Sequence, residues 1–492
     1  MFAIREPALA SSTTDVPHGR PHGYAKILLV LLTLAGGVLR FWHLGAKSLW
    51  LDEGATVALA RTSWQHFAWV WWHGEAGLQT IYFLLMRAWV HGGLSETWLR
   101  LPSAFFGTVS IPLLYVVARR CMGSFGALAA AALLAFSPAH VYYSQEARSY
   151  TLAISLVLLS TYFFLLAVEG GHSRDWALWT AFGVAAFYAH DFTALVLVAQ
   201  AASLLFKRPP LPWRRFAVCA AIVFAAAVPG LTYVFRASPE NLHFVWMPRA
   251  DGKQIWHLLM FFGGSGVKVA IALLLWTLGL AATARARRLE TIVFWRGCLI
   301  VLWAILPAII LGLISLREPI FLQRYMVFSL PAAVLLAALG SGFLQKWKLG
   351  IALVIALCAA SAFAIAGQYH KPREDWRGAI NAVLAHAAPG DAVAFFPFYT
   401  RVMLDYYSAR AGAAPPLHVF APGYYTGGED DRNLLAELDR DPHLFRHVWV
   451  FFAGANLADA NRAAQLQSKL QAIFGPPSQQ KFADVEVLEY GR

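Results

Sequence analysis

Two adjacent acids, Asp52 and Glu53, stand in the stretch SLWLDEGATVALA just past an apolar run. A carboxylate there can cap the helix that GATVALARTSW begins, accepting from free amides and complementing the helix dipole. It can equally act as a general base that takes a proton from a hydroxyl near a membrane surface. Neighbouring residues on a helix point about 100° apart. At most one of the two acids therefore faces a given substrate atom, and they do not form a matched acid and base pair.

Four more clusters hold polar groups between apolar runs. In SPAHVYYSQEARSY, Pro138 ends a helix, and Gln145, Glu146 and Arg148 follow two tyrosines. This reads either as an interfacial aromatic belt with a surface Glu146–Arg148 pair of little energetic weight, or as the wall of a cavity. YAHDF sets His190 beside Asp191 in a very short turn, as a turn residue or as a catalytic one. LREPIFLQRY places Arg324 and Tyr325 at the mouth of a span. Arg324 snorkels, pairs with Glu318, or clamps a phosphate, for which a permanently charged, bidentate guanidinium is well suited. YHKPREDWRG is a solvated charged run whose Lys371 and Arg373 also suit an anionic lipid headgroup.

The elements that must position these groups are mostly membrane helices. Of 492 residues, 58% are hydrophobic and 14% charged, and the mean hydropathy is +0.52, far from the balance of a soluble enzyme. The net charge of +12 comes from Lys and Arg dispersed in short loops, a topology signal and not a nucleic-acid surface. Cys121, Cys219, Cys298 and Cys358 are scattered singly, against a disulfide framework or a zinc site. About 20 apolar residues cross a bilayer, which predicts about 11 spans. They lie near Tyr24–His43, Trp98–Ala118, Gly123–Ala139, Tyr150–Val168, Trp176–Ala189 and Phe192–Phe206. The rest lie near Phe216–Phe235, Trp256–Leu280, Ile292–Ile314, Tyr325–Phe343 and Leu349–Ala366.

Arg119 and Arg120, KRPPLPWRR, RARR, and Lys346 with Lys348 fall in every second loop and are expected inside. The acid-bearing loops, the loop around Glu240 and the C-terminal tail are then outside. Residues 1–23 read as a cytoplasmic tail leading into a retained first helix. Residues 24–367 form the membrane module, with a large first outer loop at 45–97. Within that loop Gly77–Gly93 reads as an amphipathic helix lying at the interface. Residues 368–492 alternate helix and strand, a small three-layer α/β domain without a nucleotide-binding phosphate loop.

Taken together, these clusters resemble a known family. LWLDE after the first span resembles the acidic motif of the first outer loop in GT-C glycosyltransferases. The likeness is to bacterial relatives of the protein O-mannosyltransferases and of the lipid A aminoarabinose transferase, the family 39-like enzymes. IYFLLMRAW, LSETWLRLPSAFFGTVSIPLLYVVARR, SPAHVYYSQEARSYTL, YAHDFTALVLVAQ, QRYMVFSLPAAVLLAAL and DWRGAINAVLAHAAPGDAV follow in order. One element departs from the pattern. Where many relatives carry a His or Lys followed by Pro-Pro-Leu, this chain reads HGEAGLQTIY, with Glu75 and Gln79 as loose substitutes.

The resemblance implies an inverting transfer of a mannose-like or other sugar from a polyprenyl-phosphate carrier to a protein, lipid or glycan hydroxyl. The reaction would take place at the outer face of a bacterial inner membrane. It casts Asp52 as base, with Glu53 as its fallback. Arg324 and Arg148 would stabilise the leaving phosphate, and Gln145, Glu146, His190 and Tyr325 would position substrates. No DxD or His-rich constellation demands a metal, and a divalent ion is left open. The rival classes are a transporter or flippase, a non-catalytic scaffold whose tail binds a partner, and a polymerase or ligase using lipid-linked sugars. A transporter should show internal repeats or ionisable groups at mid-span. A polymerase or ligase usually has a large outer loop late among the helices, whereas here the first loop and the tail dominate.

Overall fold

The computed structural model describes residues 23–73, 78–208, 213–232, 249–289, 291–345, 348–411, 417–423, 431–453 and 460–491. The expected cytoplasmic tail up to residue 22, Glu75, and the loop around Glu240 lie outside these residues. Among the described residues, eight helices are long and apolar enough to cross a membrane. Ser124–Ala135 and Pro138–Ser144 make a ninth if the pair, bent by 56°, counts as one span. The other two expected spans are the 17-residue helix Ser173–Ala189 and the short apolar segment Asp191–Phe206.

Local chemistry explains the breaks. Pro138 cannot continue the helix before it. At this break the buried Arg40 guanidinium donates to the carbonyls of Leu134 and Ala135 at 3.1 and 3.0 Å, and Leu134 also accepts from the Ser137 amide at 3.2 Å. Arg40 also reaches His140 Nδ1 at 2.8 Å, so an arginine in the first span staples a break in another. The region expected as one span, Trp256–Leu280, is two helices, Gly252–Gly263 and Val267–Leu289, separated by glycines with positive φ at 264 and 266. Helix Val267–Leu289 packs closely on Leu330–Phe343. A Cβ on Gly340 would stand 1.9 Å from the Leu275 carbonyl oxygen, so only glycine permits this approach.

In the first loop, helix Leu51–Arg61 carries the two acids and packs on helix Thr80–Trp89. The latter has ten residues, about 15 Å, too short to span. Ser95 caps helix Glu96–Cys121 by accepting from the Trp98 amide. Trp89 and Trp98 stack at 4.6 Å and exchange indole-to-carbonyl hydrogen bonds.

The C-terminal unit is a five-stranded sheet with helices on both faces. Strands β1 (Ala392–Phe396), β2 (His418–Phe420), β3 (His447–Ala453), β4 (Ser478–Phe482) and β5 (Val485–Gly491) lie in the order β2-β1-β3-β5-β4. The first three are parallel, and β3-β5-β4 are antiparallel. Side chains alternate along β1. Ala392, Ala394 and Phe396 meet Leu434 and Leu466 on one face. Val393 and Phe395 on the other join Trp376 and Met403 in the same apolar core as the membrane helices. That face bears helices Trp376–His386 and Arg401–Ala411, and the second of these rests on helix Leu51–Arg61.

Candidate active site

Asp52 and Glu53 occupy the first turn of helix Leu51–Arg61 and diverge completely. Glu53 is fully buried. Its Oε1 accepts from Arg100 Nε at 2.7 Å and from the Ala147 amide at 2.7 Å. Its Oε2 accepts from Arg100 Nη2 at 2.6 Å and from the Trp50 amide at 3.3 Å. The Arg100 guanidinium also collects the carbonyls of Leu44, Lys47 and Ser48 at 2.9 Å each. Every donor and acceptor in this bidentate pair is used, which a buried ion pair requires. Burial alone would push the Glu53 carboxyl up; the Arg100 charge and hydrogen bonds, with Arg373 and the Ala147 amide, outweigh it and hold the group below the usual carboxylate value.

Asp52 is partly exposed, its side chain 24% accessible. Oδ2 lies 3.1 Å from Arg324 Nη1 and 3.9 Å from Arg148 Nη2. Among the described residues no donor reaches Oδ1. Arg148 is itself fixed, donating to the Asp52 carbonyl at 3.2 Å and to Thr56 Oγ1 at 3.1 Å. Arg324 pairs with Asp52 where the sequence offered Glu318 as a partner.

The expected surface pair of Glu146 with Arg148 does not form. Glu146 is fully buried and pairs with Arg373 at 2.5 Å, from the membrane exit of the last span. Burial pushes the Glu146 carboxyl above its usual value, and the Arg373 guanidinium only partly opposes this. Arg373 also lies over the Tyr142 ring at 4.4 Å, so the run expected to be solvated is structural at this residue.

His190 sits 3.0 Å from Asp191 and against Phe328, with ring centroids 4.7 Å apart. Tyr325 stacks on Phe192 at 4.5 Å and lies under Arg324. His190, Tyr325 and Tyr150 thus form an aromatic wall beside the arginines. Gln145 stands apart from this group. Its amide donates to the carbonyls of Trp42 and Arg40 at 2.7 and 3.2 Å, tying down the end of the first span.

Tyr143 continues the wall, with Tyr150 on one side at 4.6 Å and Phe261 on the other at 6.0 Å. Beyond it lies a cavity of about 440 Å³ lined by Ser137, Tyr142, Tyr143, Phe261, Lys268 and Trp276 among others. Residues of helices Val267–Leu289, Leu330–Phe343 and Leu349–His370 complete it, so it lies between apolar helices. Among the described residues, no three or more His, Cys, Asp or Glu side chains gather as a metal ion would need.

Sequence reasoning missed Arg100 and the role of helix Arg401–Ala411. Arg100 did carry a signal, because it lies inside an expected span, where a guanidinium without a partner is costly.

The family model described as dolichyl-phosphate-mannose-protein mannosyltransferase matches residues 79–233. No curated protein matches the sequence. Among solved structures, ArnT from Cupriavidus metallidurans in the apo state is similar over 95% of this chain and 98% of its own, with a TM-score of 0.62 at 17% identity. The same protein bound to undecaprenyl phosphate is similar over 96% and 98%, with a TM-score of 0.58 at 14% identity. The apo oligosaccharyltransferase from Archaeoglobus fulgidus is similar over 87% of this chain and 70% of its own, with a TM-score of 0.53 at 13% identity.

Proposed function

The chain has the fold of the GT-C glycosyltransferases, and we propose that it moves a sugar, mannose-like in the first instance, from a polyprenyl-phosphate carrier to an acceptor hydroxyl with inversion. The observation that carries this reading is the division of labour between adjacent acids. Glu53 has both oxygens occupied in a sealed pair, while Asp52, beside two guanidiniums, keeps Oδ1 without a donor among the described residues. That is the arrangement an in-line displacement from a phosphate needs. The acceptor oxygen attacks the anomeric carbon, and its proton passes to Asp52. The bond from that carbon to the phosphate oxygen breaks, and the phosphate leaves with the electron pair.

Arg324 and Arg148 converge where the phosphate gains charge, and fixed cations aimed at developing charge stabilise a transition state strongly. His190 and Tyr325 give the sugar an aromatic wall with polar edges. The cavity beyond Tyr143 suits the carrier chain, being lined by apolar and aromatic groups and bounded by membrane helices. C. metallidurans ArnT bound to undecaprenyl phosphate gives a similar fold with such a lipid. Glu53 and Glu146 are structural in this reading. The alternating basic loops orient the Asp52 end and the C-terminal domain to the outer face of a bacterial inner membrane, with the N-terminus cytoplasmic.

The test offers the purified protein, in nanodiscs, radiolabelled polyprenyl-phosphate sugars together with membrane extract. Asp52→Asn is expected to lower kcat by about 10²- to 10⁴-fold, the usual contribution of a general base, when compared with the wild type at equal folded fraction. Full turnover in a folded Asp52→Asn protein removes Asp52 as the base. Absence of turnover of any lipid-linked donor by the wild type removes the reading itself.

A further inference from the structure

Resting on that reading, we infer that helix Arg401–Ala411 of the C-terminal unit is part of the transferase centre, and that Met403, seated on Gly54, is a positioning residue for Asp52. Gly54 follows the two acids directly, inside a helix where its φ is ordinary. Its missing side chain is therefore a matter of space and not of backbone conformation. A Cβ on Gly54 would stand 2.6 Å from Met403 Sδ and 3.3 Å from Val402 Cγ1. Met403 and Val402 are themselves buried, with the sheet side of the domain behind them.

The same segment is held from the same side at several further points. Tyr407 Oη accepts from the Leu49 amide at 3.0 Å. Ser48 Oγ donates to the Glu374 carbonyl at 2.9 Å, and Lys47 Nζ to the Gln368 carbonyl at 2.7 Å. Glu96 anchors the domain through Arg377 at 3.1 Å, through Arg410, and through Tyr407 Oη at 3.3 Å. Helix Glu96–Cys121 carries Arg100, which holds Glu53 one residue before Gly54. Residues 47–54 thus lie between Arg100 on one side and the C-terminal domain on the other.

Asp52 reaches Arg324 and Arg148 through a single oxygen, so its placement depends on the height and roll of helix Leu51–Arg61. Met403 sets that height at the first turn. A misplacement of about 1 Å in a catalytic group costs about 10²-fold in rate. The domain is accordingly a wall of the transferase centre, behind the base that takes the acceptor's proton.

The experiment pairs a steric insertion with its relief. Gly54→Val is expected to lower kcat for donor turnover at least tenfold with little change in donor KM, and Met403→Ala in the same chain to restore most of it. Met403→Ala alone should lower kcat several-fold, and Met403→Leu should retain it. Variants are compared at equal folded fraction. A second readout needs no activity. Asp52→Cys, in a chain whose four native cysteines are replaced by serine, is labelled by a charged maleimide. Its labelling rate should shift at least threefold with Gly54→Val and return with Met403→Ala. If the wild type turns over no lipid-linked donor but the labelling rate shifts and returns, the function falls and the positioning stands. If turnover is present while kcat and labelling ignore both substitutions, or Met403→Ala fails to restore them, the positioning falls.

Discussion

The two ends of the helical bundle use the same ions for different ends. Helices Glu96–Cys121 and Tyr150–Gly170 run from the Asp52 region to a second cluster about 30 Å away by helix rise. There Glu169 accepts from Arg296 Nε at 2.7 Å on one oxygen and from Arg120 on the other. Like Asp52, it is a carboxylate bridging two arginines from other elements. Glu169 uses both oxygens, whereas both arginines at Asp52 approach Oδ2. Around Asp52 there are also an aromatic wall and a cavity beyond it. An ion cluster is therefore no marker of chemistry by itself. The oxygen left without a donor among the described residues, and the aromatic wall beside its arginines, make the difference.

The largest effect that would break this contrast lies one residue from Asp52. Arg100→Ala leaves Glu53 buried without its counter-charge and strands the loop carbonyls of Leu44, Lys47 and Ser48. Removing one partner of a buried pair costs about 3–5 kcal/mol. The variant is expected to melt far below the wild type or to fail to accumulate, as judged by thermal unfolding in detergent. An Arg100→Ala protein with wild-type stability and lost turnover would place Glu53 among the reacting groups.

At the other end the effect should be smaller and purely structural. Glu169→Gln keeps the volume but leaves two arginines without a charge partner, at a cost of about 1–3 kcal/mol. Melting temperature falls and turnover per folded molecule is expected to hold. A loss of kcat at constant folded fraction would mean that the two ends communicate.

The contrast also marks what the sequence could reveal. The apolar runs declare the spans because a helix must satisfy its backbone inside lipid. In the tail, the unbroken apolar run in DAVAFFPFY and the helical spacing of WRGAINAVLAHA and NLADANRAAQLQSKLQAIF are local signals, and the structure has a strand at Ala392–Phe396 and helices at Trp376–His386 and Ala460–Phe474. Strand β4, SQQKF, escaped because it is a polar strand at the sheet edge, with β5 as its one sheet neighbour among the described residues. The 100° separation of Asp52 and Glu53 was legible from helix geometry alone. Which acid turns inward was not, because that is decided by Arg100, 47 residues away. Glu146 shows the same limit, since its partner Arg373 lies 227 residues along the chain and a nearer arginine at 148 serves another carboxylate. Local pattern places charges at a membrane surface. Only the tertiary fold distributes them into pairs.

The smallest expected effect is one of pH, and it separates the two buried acids by sign. The folded-state carboxyl of Glu53 lies below its ordinary value. Its stabilisation is therefore complete above the unfolded value, about 4.3, and is lost as pH falls through the lower folded one. Glu146 lies above its ordinary value. Its contribution is complete below about 4.3 and is lost as pH rises through the higher folded value. Lowering the pH from 7 should first relieve the cost of ionised Glu146 and only afterwards weaken the Glu53–Arg100 pair. Melting temperature followed between pH 7 and 3 should then hold or rise slightly before it drops. Glu146→Gln should remove the first feature and keep the acid drop. Glu53→Gln, less stable throughout, should flatten the drop while keeping the first feature. The same acid drop in both variants would mean that the Glu53–Arg100 pair is not what acid breaks.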